Sequence, residues 1–382
     1  MNTQRKIIYL AGFLASIPIA LTSYINSSFL ETFNSPLNVS IIYVVYSVVA
    51  IVSMFSMPVA LNKFGNRKVA LGFSILILIS FIALSFGNKN TIIIFAFILN
   101  LVSFNFLFAA LDIFIEDFSR SSAIGTLRGT YLMVINSAWV VAQLISGSII
   151  AKSSFRGIYL MSALFMVLVS VIFFQFLRNF QDPKYKKVPV LKTFSTFFGN
   201  KNLSRIYLIN FILKFFFVWM IIYTPVYLNK HIGFGWDKIG IIFSIMLLPF
   251  MLLDFALGKL SDRIGEKKIL LTGFLISGIS TLIIPLISAP SLYLWAGILF
   301  MTRVGAAMIE VMSESYFFKC EKEEDADILS FFRNTAPLSY IVAPLCAIPI
   351  LIFVPSFQYL FFVLGAILFL GFLITLRLRD VK

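Results

Sequence analysis

Cysteine and histidine are nearly missing from this chain: of 382 residues, 2 are cysteine and 1 is histidine. Cys320 and Cys346 give no disulfide framework and no metal-ligand spacing. His231 alone excludes a histidine-rich metal site and argues against a histidine proton relay. No metal and no cofactor is therefore expected. Charge is scarce too, at 13% of residues against about 25% in soluble domains, while 60% are hydrophobic against about 45–50%. A mean hydropathy of +0.96 excludes a soluble globule, because so many apolar residues must face lipid as well as one another. No glycine-rich phosphate loop ending in Lys-Ser or Lys-Thr occurs, which excludes a nucleotide site of that kind.

What is abundant is the long apolar run. A spanning helix needs roughly 20 mainly apolar residues. That rule predicts twelve spans, near 7–28, 38–61, 68–87, 91–117, 125–150, 156–178, 204–228, 237–258, 267–288, 291–317, 326–352 and 356–377. The run after Arg5 and Lys6 resembles a signal peptide, but it continues past Ala20 without a small-x-small cleavage pattern and reads as the first retained span. The one long connection, 179–203, is polar and basic and divides the chain into a six-span half, 1–178, and a second, 204–382.

Basic residues outnumber acidic ones 31 to 17, for a net charge of +14. Their placement sets topology. The N-terminus, the loops after even-numbered spans and the C-terminal tail hold nearly all of them, whereas the opposite side holds Lys89, Lys152, Arg156, Lys230 and Lys238. Both termini are therefore expected in the cytoplasm of a multi-pass protein of the plasma (inner) membrane. Anionic lipids at the cytoplasmic face are the expected partners of the excess charge, and nucleic acid is not.

One loop recurs. Gly258-Lys259-Leu260-Ser261-Asp262-Arg263-Ile264-Gly265-Glu266-Lys267-Lys268 has a degenerate copy, Pro58-Val59-Ala60-Leu61-Asn62-Lys63-Phe64-Gly65-Asn66-Arg67-Lys68. In both, one apolar run feeds the loop and another leaves it. The second copy keeps Gly258, Leu260, Asp262, Arg263 and Gly265; the first keeps Gly65 and the basic residues but has Pro58 and Asn62 for the glycine and aspartate. This resembles the cytoplasmic loop signature of the major facilitator superfamily. The resemblance implies an all-α integral membrane fold, twelve transmembrane helices in two six-helix halves related by a pseudo-two-fold axis, and transport by alternating access.

Further symmetry supports the duplication. Ala109-Ala110-Leu111-Asp112 with Glu116 on span four answers Ala306-Ala307 with Glu310 and Glu314 on span ten, and Arg128 opening span five answers Arg333 opening span eleven. Each carboxylate pair is four residues apart, hence on one helix face. Asp254 and Asp262 lie near the end of span eight. The resemblance implies that such charges clasp the halves on the cytoplasmic side, packing span five on eight and span two on eleven. It assigns Asn62, Arg67, Asp112, Glu116, Arg128, Asp254, Asp262, Arg263, Glu310, Glu314 and Arg333 to that gate. Ordinary interfacial charge solvated by headgroups is the plainer reading.

Two cations lie deeper. A charge at a helix centre costs about 2.5–3.5 kcal/mol on insertion scales, so each needs a reason. Lys214 is about 15 Å into span seven and Arg303 roughly 18 Å into span ten, near the middle of a ~30 Å core. Glu310 lies about 10 Å along span ten from Arg303, too far for a simple ion pair, and Lys214 has no obvious carboxylate at its level. In the resembled fold, spans one, four, seven and ten line the central cavity, so these cations invite an anionic group on a small-molecule substrate. Bonds to backbone carbonyls or polar neighbours are the alternative. Uncharged cavity candidates are Asn105, Asn136, Trp139, Gln143, Trp219 and Tyr223, with Asn26 and Asn100 beside them. For each amide, interhelical packing is the stronger expectation.

The span-four arginine of some proton-coupled members and the glycine-proline motif of many drug antiporters have no counterpart here. The reading is a monomeric secondary transporter of a small polar solute, an anionic one being favoured, and not an enzyme. A multidrug or metabolite efflux antiporter of the same fold is the alternative. A non-transporting receptor or scaffold is more remote, and a membrane-embedded enzyme is disfavoured by the lack of a deep acid–base pair.

Overall fold

The computed structural model describes residues 3–118, 124–152, 154–177, 199–253, 256–257, 260–261, 264–320, 332, 334–354 and 356–379. Regular structure among them is helical: α1 (Thr3–Ser23), α2 (Asn26–Leu30), α3 (Pro36–Met54), α4 (Met57–Phe64), α5 (Asn66–Phe86), α6 (Asn90–Phe118), α7 (Ile124–Lys152) and α8 (Phe155–Gln175) come first. Then follow α9 (Lys201–Val226), α10 (Trp236–Leu252), α11 (Glu266–Ile283), α12 (Leu292–Cys320), α13 (Thr335–Phe353) and α14 (Tyr359–Leu376). Among the described residues, 11 segments are long and apolar enough to cross a membrane. Helix α10 supplies the remaining predicted span; its 17 residues fall short of the roughly 20 needed, and residues 254–255 and 258–259 lie outside the described ones.

Two predicted spans are broken. The first divides into α1 and α2 where Thr22 and Ser23 return their hydroxyls to Pro18 O at 2.9 Å and Ile19 O at 2.6 Å. Such back-bonding bends helices. The second divides at Phe55 and Ser56, and Pro58 is accommodated in the first turn of α4, where its missing N–H is not needed. Span seven keeps Pro225 near its end and passes into a π-helical turn, Tyr227–His231. Proline removes one helical donor, and a locally wider helix is a common response to a disturbed ladder.

The helices gather into two compact units, one of residues Met1–Lys187 with Gly235–Gly240 and one of Val188–Phe234 with Ile241–Lys382. In the first, α5 packs on α6 and α8, and α1 packs on α7 and α8. In the second, α11 packs on α12 and α14, and α9 packs on α13 and α14. The same neighbours thus meet in the same order in each unit. Close approach of α11 to α12 rests on small residues: a Cβ on Gly305 would stand 2.5 Å from Gly273 O, and one on Gly273 would stand 2.9 Å from Gly305 O. Small residues let membrane helices approach until dispersion contacts replace the hydrophobic drive that lipid cannot supply.

The repeated loop has a repeated geometry. Gly65 has φ 79 and ψ 155, and Gly265 has φ 82 and ψ 151. This region is essentially open to glycine alone. Each glycine ends one helical stretch by donating to a carbonyl four residues back, Leu61 O at 2.8 Å and Ser261 O at 2.9 Å, and starts the next helix at once. The residues after them serve matching purposes. Arg67 donates to Phe173 O at 2.8 Å and to Phe174 O, closing the end of α8. Lys267 donates to Leu378 O at 2.8 Å just beyond α14. Basic side chains suit the negative end of a helix dipole.

Cys346 is exposed on α13 beside the outward Leu345. A thiol is apolar enough to face lipid. Cys320 closes α12, which runs to 29 residues.

Gly65→Ala and Gly265→Ala should each destabilise the detergent-solubilised protein by about 1–3 kcal/mol, since either forces a Cβ into the glycine-only region. Gly72→Ala should not, because Gly72 is interior to α5 and a Cβ there meets nothing within 4 Å. Thermal unfolding of the three variants would check this; equal shifts would contradict it.

Candidate functional site: an ion pair between the seventh and tenth spans

Helices α9 and α12 carry the charges. Lys214 Nζ meets Glu310 Oε1 at 2.6 Å, with the side chains 23% and 30% accessible. Lys214 therefore has a carboxylate partner, contrary to the sequence expectation. Glu310 reads as near the end of span ten, yet it lies ten residues before the end of α12, close enough to α9 for Lys214 to reach it. One turn before Lys214, Asn210 donates to Thr335 Oγ1 of α13 at 2.9 Å. Successive turns of α9 thus send polar side chains to different neighbours.

Arg303 differs from the expectation in another way. Its side chain is buried, 1% accessible, with the guanidinium 5.0 Å from the Phe216 ring centroid and 5.3 Å from that of Phe217. Lys214 Nζ lies 5.2 Å from the same Phe217 ring. One aromatic ring is shared by two cations, each drawn to its negative face. Phe250 meets the Phe217 ring edgewise at 5.7 Å. Lys214 and Glu310 are the reachable groups, and Arg303 is a fixed positive charge packed beside them.

Farther along α9, Trp219 is fully buried between Phe215 at 5.2 Å and Tyr223 at 5.4 Å. Among the described residues its indole N–H has no acceptor. Tyr223 is buried as well and touches the Phe357 ring edgewise at 6.2 Å.

The amides of the first unit bond within it. Gln143 donates to Ala20 O at 2.6 Å, Asn105 to Tyr46 Oη at 3.3 Å, and Asn100 to Ser80 Oγ at 2.7 Å. Asn26 accepts from Tyr159 Oη at 2.9 Å. These are the interhelical ties that the packing alternative foresaw, each worth about 0.6 kcal/mol on average. Trp139 packs half-buried against the apolar cluster of Ile17, Ala20 and Leu21, and Asn136 is half-buried beside it.

Of the gate residues, Asn62 donates to Pro58 O of its own helix at 2.8 Å, and Arg67 is occupied at the end of α8. Asp112 and Glu314 are exposed. The side chains of Glu116 and Arg128, and residues Asp254, Asp262, Arg263 and Arg333, lie outside the described ones. Sequence reasoning missed Glu266. It is 3% accessible, pairs with Lys319 at 2.6 Å and accepts from Ser315 Oγ at 3.1 Å, tying the start of α11 to the end of α12. Its counterpart Asn66 ties α5 to α6 through Ala110 O at 2.9 Å. The loop repeat could have signalled this, since both residues follow the glycine directly. Phe217 was missed too; a phenylalanine among 44 carries no distinguishing signal.

Two helical units with matching internal packing and apolar spans throughout define a multi-pass membrane protein, the second unit carrying a partly accessible ion pair. The profile of the Major Facilitator Superfamily matches residues 8–239 and 225–382, and the chain belongs to that superfamily. Its fold is similar to a crystal structure of the nucleoside transporter NupG, with a TM-score of 0.76 at 12% identity over 98% of this chain and 100% of that one. It is also similar to a POT family transporter in complex with a thioalcohol-conjugated peptide, with a TM-score of 0.75 at 15% identity over 97% of this chain and 94% of that one. No curated protein matches the sequence significantly.

Removing one partner of the pair should cost more than removing both. Glu310→Gln and Lys214→Gln should each destabilise by about 1–3 kcal/mol, with the double variant closer to the parent than the sum of the two. A double-mutant cycle on unfolding in detergent would measure this, and strict additivity would mean that the pair is not coupled.

Proposed function

We propose that this superfamily member is a secondary transporter that moves a small polar solute with an anionic group by alternating access, driven by an ion or solute gradient. The observation that supports the reading is the Lys214–Glu310 pair, two opposite and partly accessible charges in the interior of two long helices of the second unit. Charged groups inside spans avoid lipid and face protein or water. An accessible lysine there serves as a mobile point charge for a carboxylate or phosphate. Arg303 is buried against Phe216 and Phe217, which makes it a poor direct ligand. The halves on either side of the linker 179–203 would rock about the site, with both termini in the cytoplasm and the loop charges, Asp262 foremost, as the gate.

Gradient-dependent flux into proteoliposomes tests the role, since an enzyme, receptor or scaffold of this fold would show none. In such vesicles Lys214→Gln should reduce flux of the transported solute about tenfold or more. Parent-like flux in that variant would remove Lys214 from the site. For orientation, an impermeant thiol reagent should label Cys320 in inverted vesicles and not in right-side-out ones; the reverse pattern would turn the topology over.

A further inference from the structure

Lys214 and Glu310 are each other's ligand, so any solute that takes one must deal with the other. A solute bearing only a carboxylate can displace Glu310 from Lys214, but it leaves a half-buried glutamate without its counter-charge. A solute bearing only an ammonium strands Lys214 in the same way. Breaking such a pair by removing one partner costs more than the pair itself contributed. A solute with both charges strands neither: its carboxylate takes Lys214, its ammonium takes Glu310, and one ion pair becomes two.

The pair gives that exchange a direction. Arg303 lies two turns to one side of Glu310, buried and fixed against Phe216 and Phe217. Glu314 lies one turn to the other side and is exposed. A dipolar solute held by both members of the pair would lie with its carboxylate at Lys214 and its ammonium at Glu310. The 2.6 Å closure of Lys214 on Glu310 limits the first contact to charges close together in the solute.

We infer that the Lys214–Glu310 pair is a zwitterion site, selecting solutes of the α-amino-acid or short-peptide type over pure anions or pure cations. The inference rests on the transport reading above and deepens it by naming the substrate class. Glu310, assigned to a gate by sequence, becomes half of the binding site.

The test is a ligand-stabilisation and binding series on the purified full-length protein. Free α-amino acids and dipeptides would be compared with their N-acetylated forms (anion only) and their methyl esters (cation only), side chains held constant. At least one free compound should bind about tenfold more tightly than both of its blocked forms, a difference of about 1.4 kcal/mol. Glu310→Gln should erase most of its advantage over the N-acetylated form, because the neutral amide leaves nothing to strand. An N-acetylated or esterified compound that binds as tightly as its free parent overturns the inference, and so does a panel in which no free compound binds. In the latter case, gradient-driven flux of some other solute would leave the transport reading standing, while absence of flux for all solutes would remove both. The parent series alone decides the matter if the glutamine variant does not fold.

Discussion

A charge carried into a bilayer must bring its own solvation, and the second unit is arranged around that requirement. Lys214 brings Glu310, and Arg303 brings two aromatic faces. Phe217 stands between the cations and touches both. The two solutions differ in consequence. A buried guanidinium packed against rings is fixed in place. A lysine and a glutamate that keep a quarter or so of their surface can part and meet other charges. Helices α9 and α12 are joined by this pair.

The uncharged polar groups obey the same rule with smaller stakes. Amides and hydroxyls of α1, α5, α6, α7 and α8 bond to one another or to carbonyls on neighbouring helices. They give the first unit a polar stitching, with no buried charge among its described side chains. The second unit buries Glu266 and Arg303. The internal symmetry of the fold thus holds for packing and not for electrostatics. The loop glycines belong to the symmetric part, with nearly superimposable backbone angles. The residues after them keep their tasks while changing type, Asn66 for Glu266 and Arg67 for Lys267.

Much of the fold was legible because lipid imposes a single composition on every span. Apolar runs located the helices, and the Gly65 and Gly265 loops disclosed the duplication. Helix breaks at Tyr24–Ile25 and Phe55–Ser56 were not legible, since serine, threonine and proline are common inside membrane helices that remain whole. The site was half legible. Depth counting found Lys214 and Arg303 as unusual, because a cation in an apolar run stands out. It could not pair Lys214 with Glu310, since that pairing depends on how α9 packs against α12. Nor could it separate a reachable cation from a buried one. That difference is made by Phe216 and Phe217, whose type is the commonest aromatic in the chain and says nothing by itself.

The central claim is that Lys214 is reached from water while Arg303 is sealed. Single cysteines placed by Lys214→Cys and Arg303→Cys, in a background carrying Cys320→Ser and Cys346→Ser, would measure this through reaction with a small water-soluble methanethiosulfonate reagent. The account predicts rapid modification at position 214 and little or none at position 303 in the folded protein. Equal reaction at both positions, or reaction at 303 alone, would contradict it.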